Sequence, residues 1–402
     1  MMSTNKKLAS GRVPLTWRKL VTAGAIAACA PAVTASFPIP AAAQQQVQSI
    51  NWSLETKSGR DGSDVQLTVE SRWGAGSESM WSNGRRLDEL QGVTRAQLLG
   101  PPQPIRFALV KEPGRLDCTG TAGGARGSGV CSFTPNVGFA TFLDARRIGQ
   151  PDAHQAFSMT MAGVGRDLVD ALDDSHFQRP TVDQLTAMGI HGVTPAYVRA
   201  LAGLGYHLSA DDLISFRIHG VNTDEIRQFA TVGPALQRLS PSDLISLRIH
   251  GVEPGYIREM AAIDPGLRTL TADDLVSMAI HGVRPALARA YVQYEGGRLT
   301  SNGLVDMAIH GVTADYVQRL AAAGYRHLSA DDLVSMAIHG VSPDFVQQLS
   351  ALGYRNLSAE ELVNLAIHGV TADYVRRLQQ NGMAHVSAEQ LVRLRLAGFE
   401  PR

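Results

Sequence analysis

The chain has 402 residues, is 44% apolar, and carries 37 basic against 37 acidic side chains. The apolar share is enough for packed cores. The charge is unevenly spread: all five lysines precede residue 112, residues 44–150 carry +2 and residues 151–402 carry −7, which argues against nucleic acid as a partner.

The front of the chain reads as a secretion signal. Lys6, Lys7, Arg12, Arg18 and Lys19 make a basic region ahead of a small, apolar stretch over residues 20–35, broken by Pro31. Ala41-Ala42-Ala43 before Gln44 fits a cleavage site that requires small residues at alternate positions. A rival processing site is Ile26-Ala27-Ala28-Cys29, which resembles a bacterial lipobox with Cys29 as a lipid anchor. Both alternatives place the mature protein outside the cytoplasm. No later segment reaches membrane-spanning length.

Residues 44–150 read as a small β-rich domain. Val65, Leu67 and Val69 alternate with Gln66, Thr68 and Glu70, the period of a half-buried strand. Trp52 and Leu54 begin a similar run, and residues 104–110 and 115–133 supply further strands. Helices are expected over 87–99 and 137–148, the latter capped by Asn136 and stopped by Gly149. Asn83-Gly84 is a turn signal. Trp73 and Trp81 are read as core or hairpin partners rather than a ligand platform. Once Cys29 is removed, Cys118 and Cys131 are the only cysteines, and they flank a Gly-rich hairpin tip. In an oxidising compartment they should form a disulfide worth roughly 3 kcal/mol.

Residues 151–402 are a tandem array. Ile-His-Gly-Val recurs seven times, with histidines at His191, His219, His250, His281, His310, His339 and His368. The intervals are 28, 31, 31, 29, 29 and 29 residues, a period that marks one repeated supersecondary unit. The clearest copy, 329–357, opens with Ser329 and Asp332 as a capping box. Leu333, Met336 and Ile338 follow as an apolar stripe. Gly340 then suits a left-handed helix stop. Ser342-Pro343 starts a second helix, with Phe345, Val346, Leu349 and Leu352 as its apolar stripe and Gly353 as its end. Such short helices are marginal alone, so neighbouring hairpins must stack. Met161-Ala162-Gly163-Val164 and Leu396-Ala397-Gly398-Phe399 are degenerate ends without the histidine, and the longer intervals place Pro234 and Pro265 in inter-repeat loops. The expected fold class is therefore α+β and multidomain: a signal peptide (1–43), a β-rich domain (44–150) and an α-solenoid of helical hairpins with a period near 29 residues (151–402).

The histidines invite a metal reading. Stacked helices lie roughly 9 Å apart, whereas two ligands of one zinc must come within roughly 3–4 Å. A structural role fits better: each histidine lies at a helix end, where a donor can meet unpaired carbonyls and pack against the turn. No metal or cofactor is expected. The aromatics at Tyr197, Tyr256, Tyr316, Phe345 and Tyr374 read as core. No His-Glu-x-x-His, Gly-x-Ser-x-Gly or phosphate-binding loop occurs, and no catalytic residue is assigned. Asp331-Asp332 and similar acidic pairs sit at helix starts, where they suit the dipole. A helix–Gly-Val–helix unit faintly resembles the helix-hairpin-helix of DNA-binding proteins, but an acidic, lysine-free array lacks the cations such binding needs.

The repeat running from Leu328-Ser329-Ala330-Asp331-Asp332-Leu333 to Ile338-His339-Gly340-Val341-Ser342-Pro343-Asp344-Phe345-Val346 resembles tandem repeats of bacterial envelope proteins. It is also similar to repeats appended to some BlaR-type membrane metallopeptidases. The β-rich segment with Leu90-Gln91-Gly92-Val93-Thr94 is similar to what precedes such repeats. The peptidase motif and its membrane helices are missing from this sequence, so the resemblance implies an accessory or sensory binding region and no protease activity.

The expected function is non-enzymatic: an extracytoplasmic scaffold recognising protein or peptide. The candidate contact positions are Arg319, Gln347, Gln348, Arg376 and Arg377 on the second helices. They are polar and differ between copies. The alternative is a metal- or small-molecule-responsive envelope sensor using the histidine row, and a third reading puts an enzymatic site in the β-rich domain. Intact mass of secreted protein should give Gln44 as the first residue. A diacylated Cys29 would instead establish the lipid anchor.

Overall fold

The computed structural model describes residues 47–57, 64–74, 77–294 and 298–400. The signal segment, the cleavage site before Gln44 and Cys29 lie outside the described residues. The alternating pattern at Val65–Val69 becomes the second of seven strands among the described residues: β1 (Val47–Thr56), β2 (Val65–Trp73), β3 (Ser77–Arg85), β4 (Leu90–Gln91), β5 (Gln103–Lys111), β6 (Gly114–Gly123) and β7 (Arg126–Pro135). They form one antiparallel sheet in the order β3-β2-β1-β7-β6-β5-β4. One face buries Trp52, Leu54, Val69, Trp73 and Leu116, and Trp81 packs half-buried at its margin. The β6–β7 connection is Gly124-Ala125, with φ of +59° and +72°, the left-handed pair that matches strand twist in a two-residue hairpin. Gly120 and Gly129 face one another across these strands, and the Trp52 ring fills the space a side chain would take at either position.

The structure departs from three local expectations. The single helix expected over 87–99 is broken into a 3-10 turn (Leu87–Glu89), the edge strand β4 and a short helix α1 (Arg95–Leu99) capped by Thr94 and Gln97. Gly92, at φ +101°, takes a conformation open to glycine that a helix does not use. Asn83-Gly84 is not a turn: it lies inside β3, paired with Leu67 and Gln66, where ladder hydrogen bonds with β2 outweigh the local turn preference. The helix expected after Asn136 is α2 (Val137–Ala145), with the Asn136 side chain accepting from the Gly138 amide at 2.9 Å. It stops earlier than Gly149, because Arg147 already adopts φ +58°.

The array begins with α3 (Ala153–Ala162) and α4 (Arg166–Asp174). It continues as seven hairpins: α5 (Val182–Ile190) with α6 (Pro195–Gly203), α7 (Ala210–Ile218) with α8 (Thr223–Val232), α9 (Pro241–Ile249) with α10 (Pro254–Ile263), α11 (Ala272–Ile280) with α12 (Pro285–Gln293), α13 (Ser301–Ile309) with α14 (Ala314–Ala322), α15 (Ala330–Ile338) with α16 (Pro343–Ala351), and α17 (Ala359–Ile367) with α18 (Ala372–Gln380). The final helix is α19 (Ala388–Leu396). First helices pack on first helices and second on second, from one hairpin to the next. Ser or Thr capping boxes start α5, α7, α9, α11, α15, α17 and α19. The two longer intervals are taken up by 3-10 turns at Pro234–Leu236 and Pro265–Thr269.

One continuous core runs from Phe139 to Val392. Near residue 150 the two parts exchange helices: Phe139 and Leu143 of α2 join the array's core, while Phe157 and Met161 of α3 join the core of the sheet. No described helix is long and apolar enough to cross a membrane.

Two glycine substitutions separate backbone conformation from space. At Gly311, φ is +76° and nothing lies within 4 Å of an added Cβ, so Gly311→Ala should cost about 1 kcal/mol from the left-handed backbone alone. At Gly129 a Cβ would strike the Thr119 carbonyl and the Trp52 indole, so Gly129→Ala should cost about 3 kcal/mol or more. Denaturant unfolding of the two variants measures the difference.

Candidate functional site

Each Ile-His-Gly-Val turn is built the same way. The histidine is the helix's C-cap residue, with φ between −87° and −93°. The following glycine is left-handed, from +67° at Gly251 to +76° at Gly311. The valine amide then reaches back five residues, as from Val341 to the Met336 carbonyl at 2.9 Å, while the Gly340 amide donates to Ala337 at 3.2 Å. This doubly bonded stop satisfies two helix-end carbonyls and buries the valine against the residue it bonds. Val341 and Met336 are both buried.

The histidine side chains do something different from the expectation. Nδ1 of His281, His339 and His368 lies 2.8 Å from the carbonyl of the residue four earlier: Ser277, Ser335 and Asn364. A carbonyl only accepts, so in these three rings Nδ1 carries the proton and, in the neutral ring, Nε2 is left as an acceptor. The carbonyls are not unpaired, because each already accepts the histidine's own amide. The glycine and valine amides have taken the carbonyls that would otherwise be free. The rings do not pack into the turn either: His191, His219, His250, His281, His310 and His339 are exposed, and His368 is half-buried.

Beside the histidines the structure exposes a row of isoleucines, one of which, Ile338, is expected in the apolar stripe of its helix. Ile190, Ile218, Ile249, Ile280, Ile309, Ile338 and Ile367 are all 50–58% exposed. The signal was available in the spacing. Ile338 lies two residues from Met336, and positions two apart on a helix point to different faces.

Tyr197 and Tyr374 are core, as expected, whereas Tyr256, Tyr316 and Phe345 are only half-buried against it; the tyrosines also join one hairpin to the next. Tyr197, Tyr256 and Tyr316 donate their hydroxyls to the carbonyls of Val221, Val283 and Val341 in the following turn, at 2.7, 3.1 and 2.7 Å. Tyr374 does the same to Phe399 in the terminal unit at 3.0 Å. Glu225 stands at the equivalent position of its hairpin and accepts from Arg248 of the next at 3.0 Å. Apolar periodicity alone did not show these contacts.

The candidate contact positions fall on the neighbouring second helices α14, α16 and α18. Gln347, Gln348, Arg376 and Arg377 are exposed. Arg319 is half-buried and ion-paired to Asp315 and Asp344. Arg376 pairs with Asp373, and Arg377 approaches Glu400 at 3.9 Å. Their charge is thus partly neutralised within the array.

In the β module, Cys118 and Cys131 face one another on β6 and β7 and form a disulfide, with their Cα atoms 4.0 Å apart. A hollow of about 340 Å³ on the sheet is lined by residues of β1, β2 and β3, among them Ser49, Asn51, Glu70, Arg72, Glu78 and Met80. Several of these groups satisfy one another: Arg72 pairs with Glu78 at 2.6 Å and Ser71 bonds Ser79 at 2.7 Å. Among the described residues no three histidine, cysteine or acidic side chains converge as a metal site. Compared with protein-family models and with curated proteins, the sequence finds no match.

Burial pushes the phenols of Tyr197, Tyr256 and Tyr316 up to about 12 from an ordinary value of 10.0. Their folded-state values lie above the unfolded one, so the stability they add is complete below pH 10.0 and is lost as pH rises towards about 12. Thermal transitions should therefore fall steeply across that window. Tyr316→Phe should cost about 1 kcal/mol at neutral pH and lessen the alkaline slope. A scan of melting temperature against pH, with tyrosinate absorbance, measures both.

Proposed function

We propose that the protein is a non-enzymatic, extracytoplasmic scaffold whose helical array recognises protein or peptide. The observation that carries this reading is the contrast between a core repeated turn for turn and exposed second-helix positions that differ from copy to copy. Gln347 and Gln348 on α16 give way to Arg376 and Arg377 on α18 above equivalent buried Val346, Leu349, Val375 and Leu378. A stacked array can vary such positions without disturbing its neighbours, and arginine is favoured at protein interfaces. The disulfide suits an oxidising compartment, in keeping with the secretion signal read from the first 43 residues.

The sensor reading keeps one supporting observation, the accessible row of histidine rings. At roughly 9 Å per layer each ring would need ligands from elsewhere to hold an ion. Zinc retained after dialysis and lost in His339→Ala would favour that reading over the scaffold.

Replacing Gln347, Gln348, Arg376 and Arg377 together with Ser should leave the melting temperature within about 2 °C of the parent and abolish capture of the partner in a crosslinking pull-down from the native envelope. Capture that survives the four substitutions would move recognition away from the second helices.

A further inference from the structure

The sheet ends on two unlike edges. At one, β4 is two residues long, too short to template another strand. At the other, β3 runs for nine residues in unbroken register with β2, from Ser77 opposite Trp73 to Arg85 opposite Val65. It contains no proline and no bulge. Alternate amides and carbonyls of an edge strand turn away from the sheet, and no described residue bonds those of β3. Its one acid, Glu78, does not guard the edge, because its carboxylate reaches back to Arg72 on β2 at 2.6 Å.

The hollow of about 340 Å³ lies beside this edge, on the face opposite the core. Glu70 and Arg72 of β2 stand in its middle, with Ser49 and Asn51 of β1 on the far side and Glu78 and Met80 of β3 next to the edge. Arg72 and Glu78 neutralise one another, whereas Glu70 makes no ion pair among the described residues. Two acids and one arginine therefore leave the hollow one negative charge. Met80, paired with Glu70 in the ladder, is 71% exposed.

We propose that β3 accepts an extended peptide as an added strand, with a lysine or arginine of that peptide laid across Met80 to Glu70. Strands lie about 4.8 Å apart, so the peptide residue opposite Met80 would have its Cα about 10 Å from that of Glu70. A short side chain cannot cross that gap. Lysine and arginine cross it with an apolar stem, which Met80 suits, and end in the cation that Glu70 lacks. Main-chain bonds to β3 supply the affinity, and the hollow supplies the choice of side chain. A folded partner docking on this edge alone fits less well. The edge is about 30 Å long and one layer of roughly 10 Å deep, on the order of 300 Å² against the roughly 800 Å² per partner of a stable complex. The site belongs to the β module and stands apart from the second-helix surface.

Fluorescence anisotropy with the processed chain tests it. The probe is a dye-labelled peptide, Val-Thr-Val-Lys-Val-Thr-Val, whose valines would line up with the half-buried Trp81 and whose lysine would face the hollow. It should bind with a Kd below about 100 μM. The same peptide with glutamate at its centre should bind at least about tenfold more weakly, and Glu70→Gln should weaken the lysine peptide about fivefold. A peptide with threonine at its centre should bind parent and Glu70→Gln alike. Of the two alternately N-methylated forms of the lysine peptide, at least one should lose binding, because its bonds to β3 are gone while every side chain remains. The variant with four serines on α16 and α18 should bind the lysine peptide as the parent does, so failure here and failure of the second-helix reading are separate results. A lysine peptide that does not bind at about 1 mM, or a glutamate peptide that binds as well, would overturn the proposal. So would binding that survives both N-methylated forms or that is lost in the four-serine variant.

Discussion

The array depends on one hydrogen-bonded stop. Its helices are nine or ten residues long, too short to persist alone, so the chain must reverse at the same point in every unit for the stack to close. The left-handed glycine provides the reversal, and the valine amide bonded to the carbonyl five residues back fixes its angle. That bond also delivers valine into the core, where it meets the methionine, phenylalanine or leucine whose carbonyl it holds. In three hairpins the tyrosine hydroxyl then takes the valine carbonyl of the next. One dipeptide thereby sets the local turn, the internal packing and the link between neighbours.

The sheet and the array share this logic at their junction. Gly163, at φ +74°, and Val164, bonded to the Met159 carbonyl at 2.9 Å, form the same stop without the histidine. The unit is therefore a true member of the stack, with the sheet laid over its outward face. An array must end in units unlike its interior, because a terminal face has no neighbour to bury it. Here the β module does that work at one end, and α2 in return gives Phe139 and Leu143 to the helical core.

Most of the architecture was legible in the sequence because its signals are local and repeated. Capping boxes, left-handed glycines and apolar spacing each recur with the period, and agreement between them decides the fold. Strand alternation at Val65–Val69 and the paired cysteines were legible for the same reason. The misses are places where a distant contact outweighs a local preference. Asn83-Gly84 is held in β3 by its ladder with β2, and Gly92 breaks an otherwise plausible helix beside the edge strand. The candidate site was less legible. Exposure at the isoleucine depends on what the neighbouring hairpins leave uncovered, and the tyrosine bonds join residues more than twenty positions apart.

Neither exposed constant of the turn, isoleucine or histidine, adds much to the stability of its own hairpin. A histidine whose ring bonds a carbonyl already engaged by its own amide gains little from the second bond, since exposed hydrogen bonds exchange with water at a net worth of about 1 kcal/mol or less. An isoleucine left half in water forgoes about 1 kcal/mol of the stabilisation that full burial would bring. Folding of a single hairpin therefore gives no strong reason for either residue to recur seven times while neighbouring exposed positions change freely. The valine and glycine of the same tetrapeptide need no such account, because the stop cannot form without them. In the first unit, where the sheet covers it, the position equivalent to the isoleucine is Met161, fully buried with Phe157 in the core of the sheet.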